Sequence, residues 1–350
     1  MERRAQVTAA VVSWNTRELL DRCLESLRPE ADSGRLEAWV VDNASSDGSA
    51  DLVSERHTWA ELIASPENLG FGAAVNRVAE RSVSEWLMIA NADIALRPGS
   101  LDAMLEAGRR DGGAGAIAPR LVLPDGSTQH SVFAFPTLPF ALILNSGLFH
   151  LSRDLGDRLA LLDRWDDTRA RRVPWAVAAC LLVRRAAWVE AGGFDERQWM
   201  YAEDLDLGWK LRQRGWATRY EPRAVVDHES AAATTQHFGS ELPPHWQRST
   251  YGFLARRRGV IYAWTAALIN TGGALLRWAK VAPLSVVRPA AYREVRRAHA
   301  RWALVHLRAL RRRAIQPYVL RCQRAAISSA PPKAWVVAAA LSWSTTARGS

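Results

Sequence analysis

Residues 199–215 read WMYAEDLDLGWKLRQRG and place Glu203, Asp204 and Asp206 at the predicted start of a helix. Leucine and tryptophan residues at helical spacing give this helix an apolar side, and Gly215 is a typical helix stop. Carboxylates at a helix N-terminus interact favourably with the helix dipole, by about 0.3–1 kcal/mol each. A structural role is therefore sufficient to explain any one of these acids.

Two aromatic residues, Trp199 and Tyr201, lead directly into the acidic cluster. A carboxylate that lies beside aromatic surface and a second carboxylate has its pKa raised, which suits a general base. We therefore interpret the cluster as a candidate catalytic centre, with Trp199 and Tyr201 beside the substrate from which the base would take a proton. Arg212, on the same helix, is expected to neutralise part of the negative charge.

Short apolar runs alternate with amphipathic stretches through the first hundred residues. The predicted strands are Val7–Trp14, Trp39–Val41, Leu62–Ala64 and Trp86–Ala90, with Cys180–Val183 and Thr218–Glu221 later in the chain. This alternation predicts an α/β fold with a mostly parallel central sheet and helices on both faces. Sheets of this kind bind ligands beyond the carboxyl ends of their strands.

Polar segments follow three of these strands, at residues 42–49, 66–72 and 91–93. Asp42, Asn68 and Asp93 are therefore expected to converge at one edge of the sheet. Asx, Ser and Gly are also common in ordinary turns, so composition alone does not decide the role of these segments. In the functional interpretation, Asp42 accepts a hydrogen bond from the N3–H of a pyrimidine base.

Two further motifs bear on ligands. Gly70-Phe-Gly72 resembles a dinucleotide-binding fingerprint, but the third glycine is missing and the motif follows the third strand, which argues against a Rossmann site. Asp93 and His228 both end predicted strands of the same sheet. Together they form a half-open ligand set for Mg²⁺ or Mn²⁺ that diphosphate oxygens would complete.

The net charge of +10 is very unevenly distributed. Residues 1–240 contain 27 Lys and Arg against 34 Asp and Glu, whereas residues 241–350 contain 19 against 2. We predict a catalytic domain over 1–240, in which 121–172 is an insertion that shapes the acceptor site. Residues 241–350 are a predicted basic, amphipathic helical extension, whose charge favours an anionic surface as partner.

Three apolar stretches of this extension bear on membranes. Gly259–Leu276 is close to the length of about 20 residues that spans a bilayer, but its Asn, Thr and Gly residues favour a helix in the membrane interface. Tyr292–Arg313 has the same amphipathic character, and Ala334–Trp343 is too short to span. The N-terminal apolar run is interpreted as a strand, and three widely separated cysteines indicate a reducing compartment, so a cytoplasmic protein is expected.

In this order the segments resemble the family-2 glycosyltransferases of the GT-A fold, particularly the bacterial rhamnosyltransferase-like branch. The resemblance covers about residues 6–235 and rests on VSWN at 12–15, DNASSDG at 42–48, NLGFG at 68–72, NAD at 91–93, GGFD at 192–195, YAEDLDL at 201–207 and His228. It implies metal-dependent, inverting transfer of a hexose, with L-rhamnose as the first expectation. The implied donor is a dTDP- or UDP-sugar, and the implied acceptor is a hydroxyl of a lipid-linked or cell-envelope glycan.

The resemblance also implies roles for individual residues. Asp204 corresponds to the catalytic base, with Glu203 and Asp206 orienting the acceptor or tuning Asp204, and Asp93 and His228 correspond to metal ligands. Asp42 binds the donor's base, and the remaining donor-binding positions are Ser13, Asn15, Asn43, Asn68, Gly70 and Asn91. The chain departs from the family pattern at Asn91, Ala92 and Ala178, where the family often has Asp, Pro and Gly.

Two other classes of protein are considered. A sugar nucleotidyltransferase needs a glycine-rich, basic loop after the first strand, and this chain has Ser13-Trp-Asn-Thr16 there. A nucleic-acid-binding protein would use the basic extension, but it would leave the carboxylate cluster unexplained. The expected partners are therefore a nucleotide sugar, a glycan acceptor and an anionic membrane on the cytoplasmic face, with no nucleic acid.

Overall fold

A computed structural model of the chain describes residues 5–147, 153–159, 165–198, 201–229 and 242–311. These residues form two compact units. Of the described residues, the first unit contains 5–135, 165–198 and 201–229, and the second contains 136–147, 153–159 and 242–311. Trp199, one of the predicted acceptor residues, and the apolar run Ala334–Trp343 lie outside the described residues.

The first unit is an α/β unit in which strands and helices alternate. Its strands are β1 Val7–Ser13, β2 Leu36–Asp42, β3 Glu61–Ala64, β4 Trp86–Asn91, β5 Ile94–Leu96, β6 Ala114–Val122, β7 Val132–Phe133, β8 Arg171–Val173, β9 Trp175–Ala176, β10 Cys180–Arg184 and β11 Ala217–His228. Its helices are α1 Arg17–Asp32, α2 Ser49–Arg56, α3 Phe71–Arg81, α4 Ser100–Arg110, α7 Arg185–Ala191 and α8 Glu203–Gln213.

The central sheet of the described residues has nine strands in the order β3-β2-β1-β4-β10-β6-β11-β5, with β8 also paired to β11. Strands β1, β2, β3 and β4 are parallel, β6 and β11 are parallel to each other, and β10 is antiparallel to both β4 and β6. The two parallel groups therefore run in the same direction, which gives the mostly parallel sheet that the alternation predicts.

Two strands of this sheet have no clear sequence signal. The short strand β5 follows the Asn91–Asp93 turn and pairs antiparallel with the end of β11. Strand β6 is rich in Ala and contains Pro119, which has no N–H for the ladder. Opposite Pro119, the register of β11 is irregular between Glu221 and Val225, so β11 is one interrupted strand where the sequence indicated two short ones.

The core of the first unit follows from the period of its elements. Leu20, Cys23, Leu24 and Leu27 form one buried face of α1, at helical spacing. This face packs in one cluster with alternate residues of β1 and with apolar residues of α4. Ala10 of β1 points to the opposite side of the sheet, where the buried residues of α3 contact β1. The carboxyl ends of β1, β2 and β4 are thereby fixed side by side.

The second unit is helical. Its elements are α5 Leu138–Ser146, α6 Arg153–Arg158, α9 Leu242–Arg258, α10 Val260–Val287 and α11 Pro289–Arg308. Helices α5 and α6 fall within the segment 121–172 that was predicted to be an insertion. Thr137 caps α5 by accepting a hydrogen bond from the Phe140 N–H.

A chain of hydrogen bonds links four helical positions with Arg277 inside this unit, and we call it the bundle network. Arg277 donates to Asn145 Oδ1 over 3.1 Å, and Asn145 donates to Asn270 Oδ1 over 2.8 Å. Asn270 donates to the Tyr251 hydroxyl, which lies 2.9 Å from His306 Nδ1. The network joins α5, α9, α10 and α11 through satisfied polar groups.

Helix α10 also has an exposed apolar side. Ile261, Leu268, Leu275 and Leu276 are each about half exposed or more, with side chains at spacings of seven and eight residues. Across the part of the chain that the structure describes, no helix combines the length and the apolar character that a membrane crossing requires.

Candidate active site

The ends of β1 and β2 form one side of the candidate site. Ser13 and Asp42 are register partners at the last positions of these strands, and the Asn43 N–H donates to the Ser13 carbonyl over 2.9 Å. Asp42 Oδ2 accepts a hydrogen bond from the Ser45 N–H over 3.0 Å. Asp42 Oδ1 is buried and has no hydrogen-bond partner among the described residues. A buried acceptor of this kind suits a ligand N–H.

The loops after β1, β2 and β3 supply four more of the predicted donor-side positions. Asn15 adopts a left-handed backbone, with φ of 52°, and its Oδ1 accepts the Ser46 N–H over 2.8 Å. Asn43 Nδ2 donates to the Gly70 carbonyl over 3.4 Å, while Asn43 Oδ1 lacks a partner in the described structure. Asn68 Oδ1 accepts the Gly70 N–H over 2.9 Å. These contacts bring the loops at 42–49 and 66–72 together.

Gly70 is required at its position by its backbone conformation. Its φ of 82° and ψ of 168° lie in a region that is open to glycine and strongly unfavourable for residues with a Cβ. This conformation lets the Gly70 carbonyl face Asn43 at the start of α3. The glycine in this motif therefore shapes the loop between β3 and α3.

The ends of β4 and β11 bring Asp93 and His228 together. His228 is a register partner of Ile94, and the Glu229 N–H donates to the Asp93 carbonyl over 3.0 Å. Asp93 Oδ1 lies 3.2 Å from His228 Nε2. Both atoms are buried, and neither has a hydrogen-bond partner within the described ranges. A carboxylate oxygen and an imidazole nitrogen that face each other are ligand types that a divalent cation binds.

The other nitrogen of His228 contacts a residue that the sequence did not single out. His228 Nδ1 lies 2.6 Å from Gln129 Oε1. Gln129 is in the segment 121–172, which was interpreted only as an insertion. Its side chain carries no motif, and the one available signal was the turn at 124–127, which returns the chain toward β6.

The carboxylate pair lies at the beginning of α8, as the sequence predicted. Tyr201 and Ala202, immediately before this helix, both have φ of 64°, and residues with a Cβ rarely adopt such a backbone in succession. Strain of this kind persists only where the surrounding structure enforces it, and it is common at functional sites. The consequence here is that Glu203 enters the core and Asp204 stays half-buried.

Asp204 is held by backbone donors from two elements. Its Oδ1 accepts the Leu205 N–H over 2.7 Å, and its carboxylate also accepts the N–H of Ala178. Burial raises the pKa of Asp204 above its ordinary value, and these hydrogen bonds partly offset the rise. The pKa of Glu203 is raised by burial and then by the charge of Asp204. One buried atom of this pair, Glu203 Oε2, has no partner in the described part of the chain.

Short backbone links connect Asp204 with the turn that carries Asp93. Ala178 donates to Asp204, and the next residue, Ala179, accepts the Asn91 N–H over 2.9 Å. Asn91 ends β4 and lies two residues before Asp93. Asp204 and the Asp93–His228 pair therefore lie at the same edge of the sheet, in agreement with the sequence interpretation.

The third carboxylate has a different environment. Asp206 is fully buried, and its carboxylate lies 3.7 Å from Lys210 Nζ, four residues later on α8. Lys210 also donates to the Gly193 carbonyl. Arg212 is exposed, with its guanidinium over the Phe135 ring at 5.6 Å. Lys210, rather than Arg212, therefore neutralises part of the acidic cluster, because a spacing of four residues places two side chains on one face of a helix.

A second acidic group lies between α1 and α2 and is not part of this site. Asp21, Glu25 and His57 have ligand atoms within 4.8 Å of one another. The Arg56 guanidinium already pairs with both carboxylates, and His57 Nε2 lies 2.7 Å from Asp21 Oδ1. This group is an ion-pair cluster that ties the two helices together.

The chain is similar to several proteins of known name. A sequence model of glycosyl transferase family 2 matches residues 8–173. N-acetylglucosaminyl-diphospho-decaprenol L-rhamnosyltransferase of Mycobacterium tuberculosis is 36% identical over 261 residues, which cover 70% of this chain and 83% of that protein. Pre-mycofactocin glycosyltransferase of the same organism is 29% identical over 279 residues, covering 78% of this chain and 52% of that protein.

Among solved structures, the fold is similar to that of mannosyltransferase PcManGT from Pyrobaculum calidifontis, solved in complex with GDP-Man and Mn²⁺. The TM-score is 0.53 at 18% sequence identity, and the match covers 88% of each chain. At this identity the likeness bears on the fold alone, which is the GT-A fold of glycosyltransferases. Because the family model matches and the rhamnosyltransferase relative is 36% identical, the chain belongs to glycosyl transferase family 2, in its rhamnosyltransferase-like branch.

Proposed function

We propose that this glycosyltransferase moves L-rhamnose, with inversion at the anomeric carbon, from a nucleoside-diphosphate donor to a hydroxyl of a lipid-linked glycan. The observation that carries the proposal is the half-buried Asp204, which the Ala178 and Leu205 N–H groups hold at the sheet edge where buried atoms of Asp93 and His228 have no hydrogen-bond partner among the described residues. The relative from Mycobacterium tuberculosis, whose name specifies a GlcNAc-diphospho-decaprenol acceptor, supports the choice of sugar and acceptor.

The donor's base binds at the ends of β1 and β2 in this proposal. Asp42 Oδ1 accepts the N3–H of thymine or uracil, and Asn43 Oδ1 accepts a second ligand donor. The loops organised by Asn15 and Asn68 flank the ribose and the phosphates. A dTDP-sugar is the first choice and a UDP-sugar the second, because both pyrimidines present the same N3–H.

Asp93 and His228 fit a Mg²⁺ or Mn²⁺ ion by the chemistry of their donor atoms. One buried carboxylate oxygen and one buried imidazole nitrogen face each other over 3.2 Å with no hydrogen bond to either. Bound there with the donor's diphosphate, the ion supplies Lewis-acid stabilisation of the negative charge on the departing nucleoside diphosphate.

Asp204 removes the proton from the acceptor hydroxyl as that oxygen attacks the anomeric carbon. A raised pKa makes its carboxylate a stronger proton acceptor, and positioned general bases contribute about 10²- to 10⁴-fold to rates. A single base beside the donor suits one in-line displacement, which inverts the anomeric configuration. Glu203 precedes Asp204 at the start of α8 and adjusts its proton affinity, since each carboxylate disfavours the negative charge of the other.

Transfer assays test this function. Purified protein is incubated with Mn²⁺, dTDP-L-rhamnose or a UDP-hexose, and a synthetic GlcNAc-diphosphate carrying a short polyprenyl chain. We expect rhamnosylated product from dTDP-L-rhamnose, with inverted anomeric configuration by NMR, and little product without divalent cation. Transfer from a UDP-hexose only would overturn the choice of donor, and retention of configuration would overturn the single displacement.

The basic extension is proposed to hold the enzyme on the cytoplasmic face of the plasma membrane, where a lipid-linked acceptor is within reach. The apolar side of α10 is exposed at Ile261, Leu268, Leu275 and Leu276, and residues 241–350 have a net charge of +17 from 19 basic and 2 acidic residues. Each Lys or Arg near an anionic surface contributes about 1 kcal/mol.

Flotation of the full-length protein with vesicles tests the membrane proposal. We expect co-flotation with vesicles containing phosphatidylglycerol, reduced binding at high salt, and weak binding to pure phosphatidylcholine. Replacing Leu268 and Leu275 together by Gln keeps the charge and removes apolar area, so it should weaken binding further. Equal flotation of the two proteins on anionic vesicles would exclude a role for this side of α10.

A further inference from the structure

The tautomer of His228 is determined by its contact with Gln129. An amide oxygen has no proton to donate, so the 2.6 Å contact between His228 Nδ1 and Gln129 Oε1 requires that Nδ1 carry the hydrogen. In a neutral imidazole the lone pair then lies on Nε2, the nitrogen that faces Asp93. His228 is 5% exposed, so the orientation of its ring is fixed by these contacts and not by water.

With this tautomer, two acceptor atoms face each other at the end of β11. Nε2 and Asp93 Oδ1 are both hydrogen-bond acceptors, they lie 3.2 Å apart, and neither has another partner among the described residues. Both atoms are suitable ligands for a divalent cation that would bind between them. Histidines that bind metals donate their second ring N–H to an oxygen acceptor, which fixes the ring and makes it a better ligand.

We propose that Gln129 is the positioning residue that prepares His228 to bind the divalent cation. The inference rests on the proposed metal site, and it assigns to the segment after β6 a role in the donor half of the reaction. Gln129 acts through His228 and does not touch substrate.

A tight hairpin carries Gln129 to this position. The Gln129 N–H donates to the Leu121 carbonyl over 2.9 Å, and the Leu123 N–H donates to the Ser127 carbonyl over 2.9 Å. Asp125 Oδ1 accepts from both the N–H and the hydroxyl of Ser127. Val122, in this hairpin, is also the register partner of Asp227 on β11. The hairpin therefore returns Gln129 to the end of the strand that carries His228.

Mn²⁺ binding to the full-length protein, in the presence of UDP or dTDP, tests the inference by electron paramagnetic resonance. Gln129→Leu removes the acceptor at similar volume, and we expect a 10- to 100-fold weaker Mn²⁺ affinity. Gln129→Glu keeps an oxygen in place and should bind Mn²⁺ at least as tightly as wild type. Ser127→Ala is the matched control, since it loosens the same hairpin without removing the contact with His228.

The outcomes separate this inference from the metal site itself. Unchanged Mn²⁺ affinity in Gln129→Leu, with weaker binding in His228→Asn and Asp93→Asn, would overturn the role of Gln129 and leave the site in place. Equal weakening in Ser127→Ala and Gln129→Leu would reduce the effect to hairpin stability and also overturn it. If wild type shows no Mn²⁺ binding with either nucleotide, the metal site and the inference both fail.

Discussion

The sheet edge of the first unit and the bundle network of the second unit both contain buried polar side chains, but they differ in whether those side chains have hydrogen-bond partners. At the sheet edge, buried atoms of Asp42, Asn43, Asp93, Glu203 and His228 have no hydrogen-bond partner in the described residues. In the bundle network, Asn145, Tyr251, Asn270, Arg277 and His306 bond to one another in sequence.

The difference separates a binding site from a structural device. A buried polar atom without a partner costs about 1–3 kcal/mol, so several such carboxylate, amide and imidazole atoms gathered at one sheet edge favour a ligand there. A closed network recovers this cost and fixes which helical positions meet. The unpaired atoms at the sheet edge therefore indicate function, and the paired ones in the helical unit indicate a specified packing.

The largest expected effect is at Asp204. Replacing it by Asn keeps its size but removes the proton acceptor, so we expect transfer to fall by about 10²- to 10⁴-fold. Donor binding, measured by calorimetry with dTDP or UDP and Mn²⁺, should be unchanged, because Asp204 is tethered to Ala178 and Leu205 and not to the cation ligands. Loss of donor binding instead would assign Asp204 to the cation and break the distinction between base and metal ligands.

Asp206 is expected to affect stability more than chemistry. Its carboxylate is fully buried next to Lys210, and breaking a buried pair by removing one partner costs about 3 kcal/mol. We therefore expect Asp206→Asn to lower the free energy of unfolding in urea while the folded fraction keeps most of its transfer rate. A variant with wild-type stability and no transfer would return Asp206 to the catalytic group that the sequence indicated.

Much of the fold and the location of the candidate site could be predicted from the sequence. Apolar runs located β1, β2, β3, β4 and β10, and the polar residues after them located the edge where Asp42 and Asp93 lie. The order of the motifs gave the family, which the comparisons confirm. These features succeed because buried strands, strand ends and a helix start are encoded within a few neighbouring residues.

Features that depend on distant residues were not predictable. Strand β6 has a weak composition for a strand and is held by β10 and β11, which are more than sixty residues away in sequence. Gln129 gains its role only because the hairpin after β6 meets the end of β11. The choice of Lys210 over Arg212 was within reach of the sequence, since the spacing of four residues favours it.

Gly273 tests how closely the bundle network depends on helix packing. A Cβ at this position would lie 1.8 Å from Asn145 Oδ1, so Gly273→Ala must displace the side chain that links α5 to α10. We expect a loss of about 1–3 kcal/mol in the free energy of unfolding, measured by thermal melting of full-length protein. At Gly272 an added Cβ meets nothing within 4 Å, so Gly272→Ala should be neutral or stabilising. Equal effects of the two changes would show that the network tolerates a shift of α5.

The smallest expected effects are on the pH dependence of stability, which should have opposite signs for Glu203 at the sheet edge and His306 in the bundle network. Burial raises the pKa of Glu203, so this carboxyl binds a proton more readily in the native state than in the unfolded chain. The stability that the bound proton contributes is therefore lost as the pH rises above the ordinary pKa of a glutamate. Burial, with Arg277 nearby, lowers the pKa of His306 to about 4 from 6.5, so the native state binds fewer protons. The contribution of His306 is present above about pH 6.5 and is lost as the pH falls toward 4.

Urea unfolding of Glu203→Gln and His306→Gln at several pH values measures these contributions as differences from wild type. Between about pH 5.5 and pH 7, wild type should lose stability relative to Glu203→Gln and gain about 1 kcal/mol relative to His306→Gln. The opposite signs follow because the carboxyl is buried without a partner for its charge, whereas the imidazole is buried as a neutral acceptor for Tyr251. A difference from wild type that does not change with pH would mean that the replaced group titrates in the native state as it does in water. The contrast between the sheet edge and the bundle network would then not hold at that residue.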